Sequence, residues 1–245
     1  MPNNTKTVLI TGASSGMGLD IARGFLEIGA NVVLNSSNAE KLSAAARTLG
    51  NAERIALVPG DIGNRETGEQ IVRTAVERFG SADVLVNNAG IFGLKPFLEN
   101  TEQDIDNYIG TNLKGTYFVT QAAVRQMKKQ GGGSIVNIGT VLIMHSMAGL
   151  PASAALITKG GVHALTTSLA SELAADNIRV NAVAPGVIRT PIYGDADIEA
   201  IGSVALMNRV GEVKETTEAV IHLATAGFTT GVILPVDGGY VHGRA

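Results

Sequence analysis

The chain has 245 residues, 45% hydrophobic and 17% charged, with a formal net charge of −3, which suits one large α/β domain and argues against a broad nucleic-acid or anionic-membrane surface. It contains no cysteine, which excludes a disulfide framework, a thiolate nucleophile and a cysteine-based metal site, and no metal centre is expected. The start, Met1-Pro2-Asn3-Asn4-Thr5-Lys6, lacks the apolar core of a secretory signal and no apolar run is long enough to span a membrane, so a cytoplasmic location is expected.

Val8-Leu9-Ile10 reads as a strand, and Thr11-Gly12-Ala13-Ser14-Ser15-Gly16-Met17-Gly18 as a glycine-rich turn that opens a helix. Glycines there permit positive φ and close backbone approach, and the unpaired N–H groups of a helix's first turn favour an anion. Such a turn can seat a pyrophosphate, although tight βα turns also use glycine for packing alone. Residues 17–28 form the helix, with Ile21, Ala22, Phe25 and Ile28 on one face and Gly29 as its stop. The strand at 31–35 ends in Asn35-Ser36-Ser37-Asn38, where an acid would hold the ribose 2′-hydroxyl of NAD; the first acid is Glu40. Without a carboxylate, nothing repels a 2′-phosphate, and Ser36, Ser37 and Asn38 can donate hydrogen bonds to one. The same residues also read as a polar turn and helix cap.

Helices at 38–49 and 65–79 alternate with strands at 54–58 and 83–86, a pattern that gives right-handed crossovers and a parallel sheet. Thr101-Glu102-Gln103-Asp104 resembles a capped helix start. Asn112 lies in a largely apolar helical stretch running to Met127. Gly131-Gly132-Gly133 turns the chain into a strand at 134–138. A helix then carries Lys159, Val162, Leu165, Leu169 and Leu173, and a strand follows at 177–183. The polar, mixed segment at about 190–211, with glycines at 194, 202 and 211, reads as a mobile lid over a substrate. A helix at 212–226 and a strand at 230–236 complete one domain, 1–245, without repeat or linker.

The spacing Gly12-x-x-x-Gly16-x-Gly18, followed in order by Asp61-Ile62, Asn87-Asn88-Ala89-Gly90, Asn112, Lys159, Pro185-Gly186 and Val236-Asp237-Gly238-Gly239, resembles the short-chain dehydrogenase/reductase family over nearly the whole chain. The resemblance implies a single-domain Rossmann fold, a doubly wound seven-stranded parallel sheet with helices on both faces. It implies hydride transfer between NADP or NAD and a small-molecule carbonyl or secondary alcohol, in a homotetramer or homodimer. NADP is favoured by the missing acid, although the family's usual NADP arginine is absent too. Gly12, Ser14, Ser15, Gly16, Met17 and Gly18 would hold the cofactor's phosphates. Ser36 and Ser37 would meet the adenosine ribose, Asp61 and Ile62 the adenine, and Asn88, Ala89 and Gly90 the adenosine side of the sheet. Pro185, Gly186, Ile188 and Thr190 would grip the nicotinamide. Lys159 would bind its ribose, Asn112 would hold a water in the proton relay, and Thr140 would stand for the family's substrate-orienting serine.

One departure dominates. The family's catalytic tyrosine lies four residues before the lysine, one helical turn away, and here that residue is Ala155. Counting back from Ala155 by the family's interval reaches Leu142, so the segment from Thr140 is longer than usual. A water polarised by Lys159 is the expected substitute for the phenol, with His145, His163, Thr140 and Tyr193 as other candidates. Two functions follow: an oxidoreductase with a non-standard proton donor, or a catalytically silent nucleotide-binding protein.

Overall fold

The structure, a computed structural model, describes residues 5–243, so residues 1–4 of the start read above lie outside it. Seven strands form the centre: β1 (Thr7–Ile10), β2 (Asn31–Ser36), β3 (Ile55–Pro59), β4 (Val84–Asn87), β5 (Gly133–Ile138), β6 (Ile178–Pro185) and β7 (Ile233–Val236). They pair in parallel in the order β3-β2-β1-β4-β5-β6-β7. The order reverses between β1 and β4, where doubly wound sheets open a crevice beyond the strand ends. The helices are α1 (Gly16–Glu27), α2 (Ala39–Leu49), α3 (Arg65–Phe79), α4 (Glu102–Tyr108), α5 (Thr116–Gln130), α6 (Ser153–Glu172), α7 (Ile198–Gly202) and α8 (Val213–Thr225). Among the described residues, none is long and apolar enough to cross a membrane.

Side-chain alternation along the strands divides the core into two layers. Val8 and Ile10 of β1 join Phe25 of α1, Leu42 of α2 and Leu223 of α8 on one face. Leu9 points the other way, into a cluster with Ile71 of α3, Val119 and Met127 of α5 and Ala170 of α6. A sheet buried on both faces needs the continuous apolar strands seen in the sequence.

Several boundaries differ from the sequence expectation for local reasons. The sixth strand begins at Ile178, because Asn177 adopts a left-handed φ of 58°. The seventh begins at Ile233, after Thr230 has spent its hydroxyl on the Val180 N–H at 3.1 Å and Gly231 has turned the chain at φ 77°. The expected helix around Asn112 is a π-helical stretch, Ile109–Gly115, set between α4 and α5. The segment at 190–211 is not irregular throughout: it holds a 3₁₀ turn at Pro191–Tyr193 and α7, which Asp197 caps by accepting the Ala200 N–H at 3.1 Å.

Candidate active site

A cleft of about 930 Å³ lies beyond the strand ends, and its lining includes Met17, Asn88, Gly90, Thr140, Lys159, Pro185, Gly186, Ile188 and Thr190. The turn after β1 leaves no room for side chains. A Cβ on Gly12 would stand 2.8 Å from the Ala89 Cα, and one on Gly18 only 2.4 Å from the Gly12 carbonyl oxygen. Gly12 and Gly16 also hold φ values of 66° and 54°, which glycine adopts without strain. Thr11 and Asn88 fasten this turn to the end of β4. Thr11 Oγ1 accepts the N–H groups of Asn88 and Ala89 at 3.1 and 3.0 Å, and Asn88 Nδ2 donates to the carbonyls of Thr11 and Gly12 at 3.0 and 3.1 Å. Ser15 begins α1 without capping it through its side chain, so first-turn N–H groups are left for an anion. Across the cleft, a Cβ on Gly16 would meet Thr190 Cγ2 at 3.5 Å. A cradle of bare backbone facing a Pro-Gly segment fits a pyrophosphate-linked dinucleotide.

At the end of β2, Ser36 Oγ donates to Ser14 Oγ at 3.0 Å and accepts the Asn38 N–H at 3.3 Å. Asn35 and Asn38 have structural duties. The first is buried and donates to the carbonyls of Val58 and Gly60, at 2.9 and 3.0 Å; the second caps α2 by accepting the Lys41 N–H at 2.8 Å. Ser37 is exposed beside them. Asp61 is also exposed and accepts the Gly63 N–H at 2.9 Å. Ile62 turns its side chain into the core, where a Cβ on Gly115 would come within 2.6 Å of its Cδ1. The side chain expected against an adenine is thus committed to packing.

The candidate catalytic end is built around Lys159. From α6 its Nζ reaches the end of β5 and donates to the Ile138 carbonyl at 2.8 Å. Burial strips water from the ammonium, and its pKa is pushed down to about 8. Gly90 lies close beside it: a Cβ there would stand 3.2 Å from both Lys159 Nζ and Asn112 Oδ1, a tight fit. The π-helical stretch presents Asn112 inward, 1% exposed. Its Oδ1 accepts the Ile91 N–H at 2.8 Å, while Nδ2 donates to the Ile91 carbonyl at 3.0 Å and to Thr158 Oγ1 at 2.9 Å. Both ends of the amide thus grip Ile91 after β4, and the Nδ2 end ties it to α6.

Thr140 stands at the cleft with Lys159 despite the longer segment that follows it. Its Oγ1 accepts the Leu142 N–H at 3.3 Å, capping a 3₁₀ turn at Val141–Ile143. Its own N–H is donated to His163 Nε2 at 3.3 Å. That imidazole lies directly under Gly139, where a Cβ would come within 2.1 Å of Nε2. Burial first, and the Lys159 charge second, lower the pKa of His163, which holds it neutral as an acceptor.

Other candidate proton donors fare differently. Ala155 is fully buried and does not line the cleft. His145 is exposed, also outside the lining, with its ring set edge-on to Tyr240 at 5.3 Å. Tyr193 does line the cleft, but burial raises its pKa, against the need of an acid, while a hydrogen bond from the Ile188 backbone lowers it less. Thr11 and Thr158 were not singled out from the sequence. Each acts through a hydroxyl bonded to a residue distant in sequence, so no local periodicity announces it.

Residues 6–199 match the model of the family described as short chain dehydrogenase. The chain is 39% identical over 249 residues to an L-rhamnose 1-dehydrogenase (NAD(P)(+)) of Azotobacter vinelandii, with 96% of each covered. It is 35% identical over 244 residues to a 3alpha-hydroxysteroid dehydrogenase of Mediterraneibacter gnavus, covering 95% of this chain and 96% of the relative. Its fold matches the crystal structure of a 3-ketoacyl-(acyl-carrier-protein) reductase from Brucella melitensis complexed with NADH, with a TM-score of 0.91, 30% identity, and 96% and 98% of the two chains covered.

Proposed function

Because the chain belongs to the short chain dehydrogenase family and is an oxidoreductase of that type, we propose that it moves hydride between NADP(H) and a carbonyl or secondary alcohol, with Lys159 as the source of the proton. When bound, the nicotinamide supplies or takes up the hydride. Gly12, Ser14, Ser15, Gly16, Met17 and Gly18 would hold its phosphates, Ser36 and Ser37 the 2′-phosphate, and Pro185, Gly186, Ile188 and Thr190 the nicotinamide end. Absence of a carboxylate from 35–38 supports NADP(H) over NAD(H). Asp61 and Ile62 would act at the adenine through turn geometry and backbone.

The observation that carries the proposal is the placement of Lys159. Its ammonium shares the cleft lining with the Thr140 hydroxyl, whereas Ala155 and His145 do not line the cleft. A pKa near 8 lets the ammonium release a proton near neutral pH, directly or through one water held on Nζ. Thr140 keeps its hydroxyl hydrogen to orient the substrate oxygen, because the bond from Leu142 uses only a lone pair. The remaining positive charge favours negative charge developing on that oxygen. Tyr117 of α5 and Ile157 of α6 are apolar yet 50% and 71% exposed, which supports burial of these helices in a homodimer or homotetramer; light scattering tests this.

Single-turnover reduction of a small diketone by NADPH tests the proton path. Lys159→Ala is expected to lower the rate by about 10²–10⁴. His145→Ala should leave it near that of the parent, and the parent rate should fall as pH rises through about 8. An equal loss in the histidine variant would move the donor there. NADPH binding without any turnover would favour the silent nucleotide-binding protein, the reading that Ala155 supports.

A further inference from the structure

Beyond Lys159, the cleft is walled by Leu142, Met147 and Leu150 from the segment after β5 and by Ile192, Val204 and Leu206 from the segment after β6. Ile192 and Leu206 are 59% and 47% exposed, apolar surface that a bound molecule would cover. The other charged groups of the lining are already committed. Arg209 forks onto Glu215 at 2.6 and 2.9 Å and donates to the Val210 carbonyl at 3.0 Å. Asp237 accepts the N–H groups of Gly239 and Val241, both at 2.9 Å. Arg189, between the lining residues Ile188 and Thr190 in sequence, is held by Glu199 at 2.5 Å and Glu212 at 3.0 Å. Beyond Lys159, which the reacting oxygen would face, an anionic group of the substrate would have to break one of these ion pairs to find a cation. Against the wall formed by Leu142, Met147, Leu150, Ile192, Val204 and Leu206, a polyol would bury hydroxyls against side chains that offer no hydrogen bond, which is unfavourable.

From this lining we infer that the substrate is a neutral apolar ketone, aliphatic or polycyclic, or the corresponding secondary alcohol, and not a sugar, a carboxylate or a phosphorylated compound. The reacting group rests on the oxidoreductase reading above; the class of the remainder rests on the walls of the cleft. In the reductive direction the carbonyl carbon gains hydride from the reduced nicotinamide and the oxygen gains a proton, so that the products are the secondary alcohol and the oxidised cofactor.

The test is calorimetric titration of 2-alkanones, from butanone to undecanone, into protein loaded with NADP⁺, which cannot reduce them. Each added methylene should tighten binding about three- to fourfold until the cavity fills, the equivalent of ~0.8 kcal/mol per buried methylene. An aldose and a 2-oxocarboxylate of similar size should bind at least about tenfold more weakly than the longest ketones. Ile192→Asp and Leu206→Asp, at exposed positions that leave the core intact, should flatten the dependence on chain length. A flat series in the parent protein, or tighter binding of the aldose or the oxocarboxylate, would overturn the inference even if NADPH-dependent turnover were observed. A rising series without turnover by NADPH would uphold it and overturn the proton path instead.

Discussion

Lys159 leaves a signature in stability that requires no substrate. Burial lowers its pKa from 10.5 to about 8, and its Nζ has the Ile138 carbonyl at 2.8 Å as a partner, not a carboxylate. Below about pH 8 the lysine is charged in both folded and unfolded chains, and the folded state bears the whole desolvation cost. At 1.36 kcal/mol per tenfold change in proton affinity, that cost is about 3 kcal/mol. Between about pH 8 and 10.5 the folded chain loses this proton while the unfolded chain keeps it, so stability rises with pH. Above that window the lysine is neutral in both states and the cost is gone. Lys159→Met removes the titration and keeps a side chain of similar reach. Urea unfolding of the cofactor-free parent and variant should therefore show the variant's relative stability falling by about 3 kcal/mol between pH 7 and pH 10.5. The other titrating groups are common to both proteins; His163, which feels the Lys159 charge, is already held towards its neutral form by burial and adds little above pH 7. A difference constant to within about 1 kcal/mol over that range would refute a desolvated ammonium.

Three further outcomes are expected. Ser36→Asp, next to Ser14 of the glycine-rich turn, should cut NADPH affinity relative to NADH by about 10² or more, since like charges at ~4 Å repel by several kcal/mol even at an effective dielectric of ~20; calorimetry with both cofactors reads the ratio. Gly139→Ala would press a Cβ to within 2.1 Å of His163 Nε2 and should destabilise by about 1–3 kcal/mol. Adding His163→Ala should relieve that loss, and additive losses in a double-mutant unfolding cycle would contradict the contact. Ala155→Tyr should cost about 1–3 kcal/mol of overpacking at a fully buried position, yet raise single-turnover ketone reduction by up to about 10²–10⁴ if the phenol reaches Lys159. A folded variant with no gain would mean that protons do not travel by way of this position.

Strands and caps were legible in the sequence because their signals are local. The apolar run at 8–10 needs no distant information to read as a strand, and α3 occupies the expected 65–79 because Gly80 stops it at φ 85°. Thr101 and Asp104 make the expected reciprocal cap. The glycine-rich turn was legible too, and the structure supplies the reason: the Ala89 backbone and the Asn88 amide leave no space for a Cβ on Gly12. What the sequence did not reveal depends on partners far along the chain. No periodicity marks residues 109–115 as π-helical, and nothing local shows that Ile62 packs under Gly115. Likewise His163 reads as a packing residue until Gly139, 24 positions earlier, is seen to lie on its imidazole.

The clamp around Asn112 explains how the site holds its lysine without a phenol at 155. The Ile91 N–H is donated to Asn112 Oδ1, the Asn112 amide donates to Thr158 Oγ1, and that hydroxyl donates to the Ala155 carbonyl at 2.8 Å. Position 155 enters this line through its backbone, so its side chain can change without breaking it. The line passes through Thr158, one residue before Lys159, and fixes that turn of α6 to the segment after β4, while the Ile138 carbonyl fixes Nζ. None of these bonds to the cation or its helical turn uses the side chain at 155. With alanine at 155 there is no phenol one turn from Lys159, yet the hydrogen bonds that set the lysine remain in place. On the proposed mechanism, cofactor binding and electrostatic assistance draw on Lys159, and neither depends on a side chain at 155.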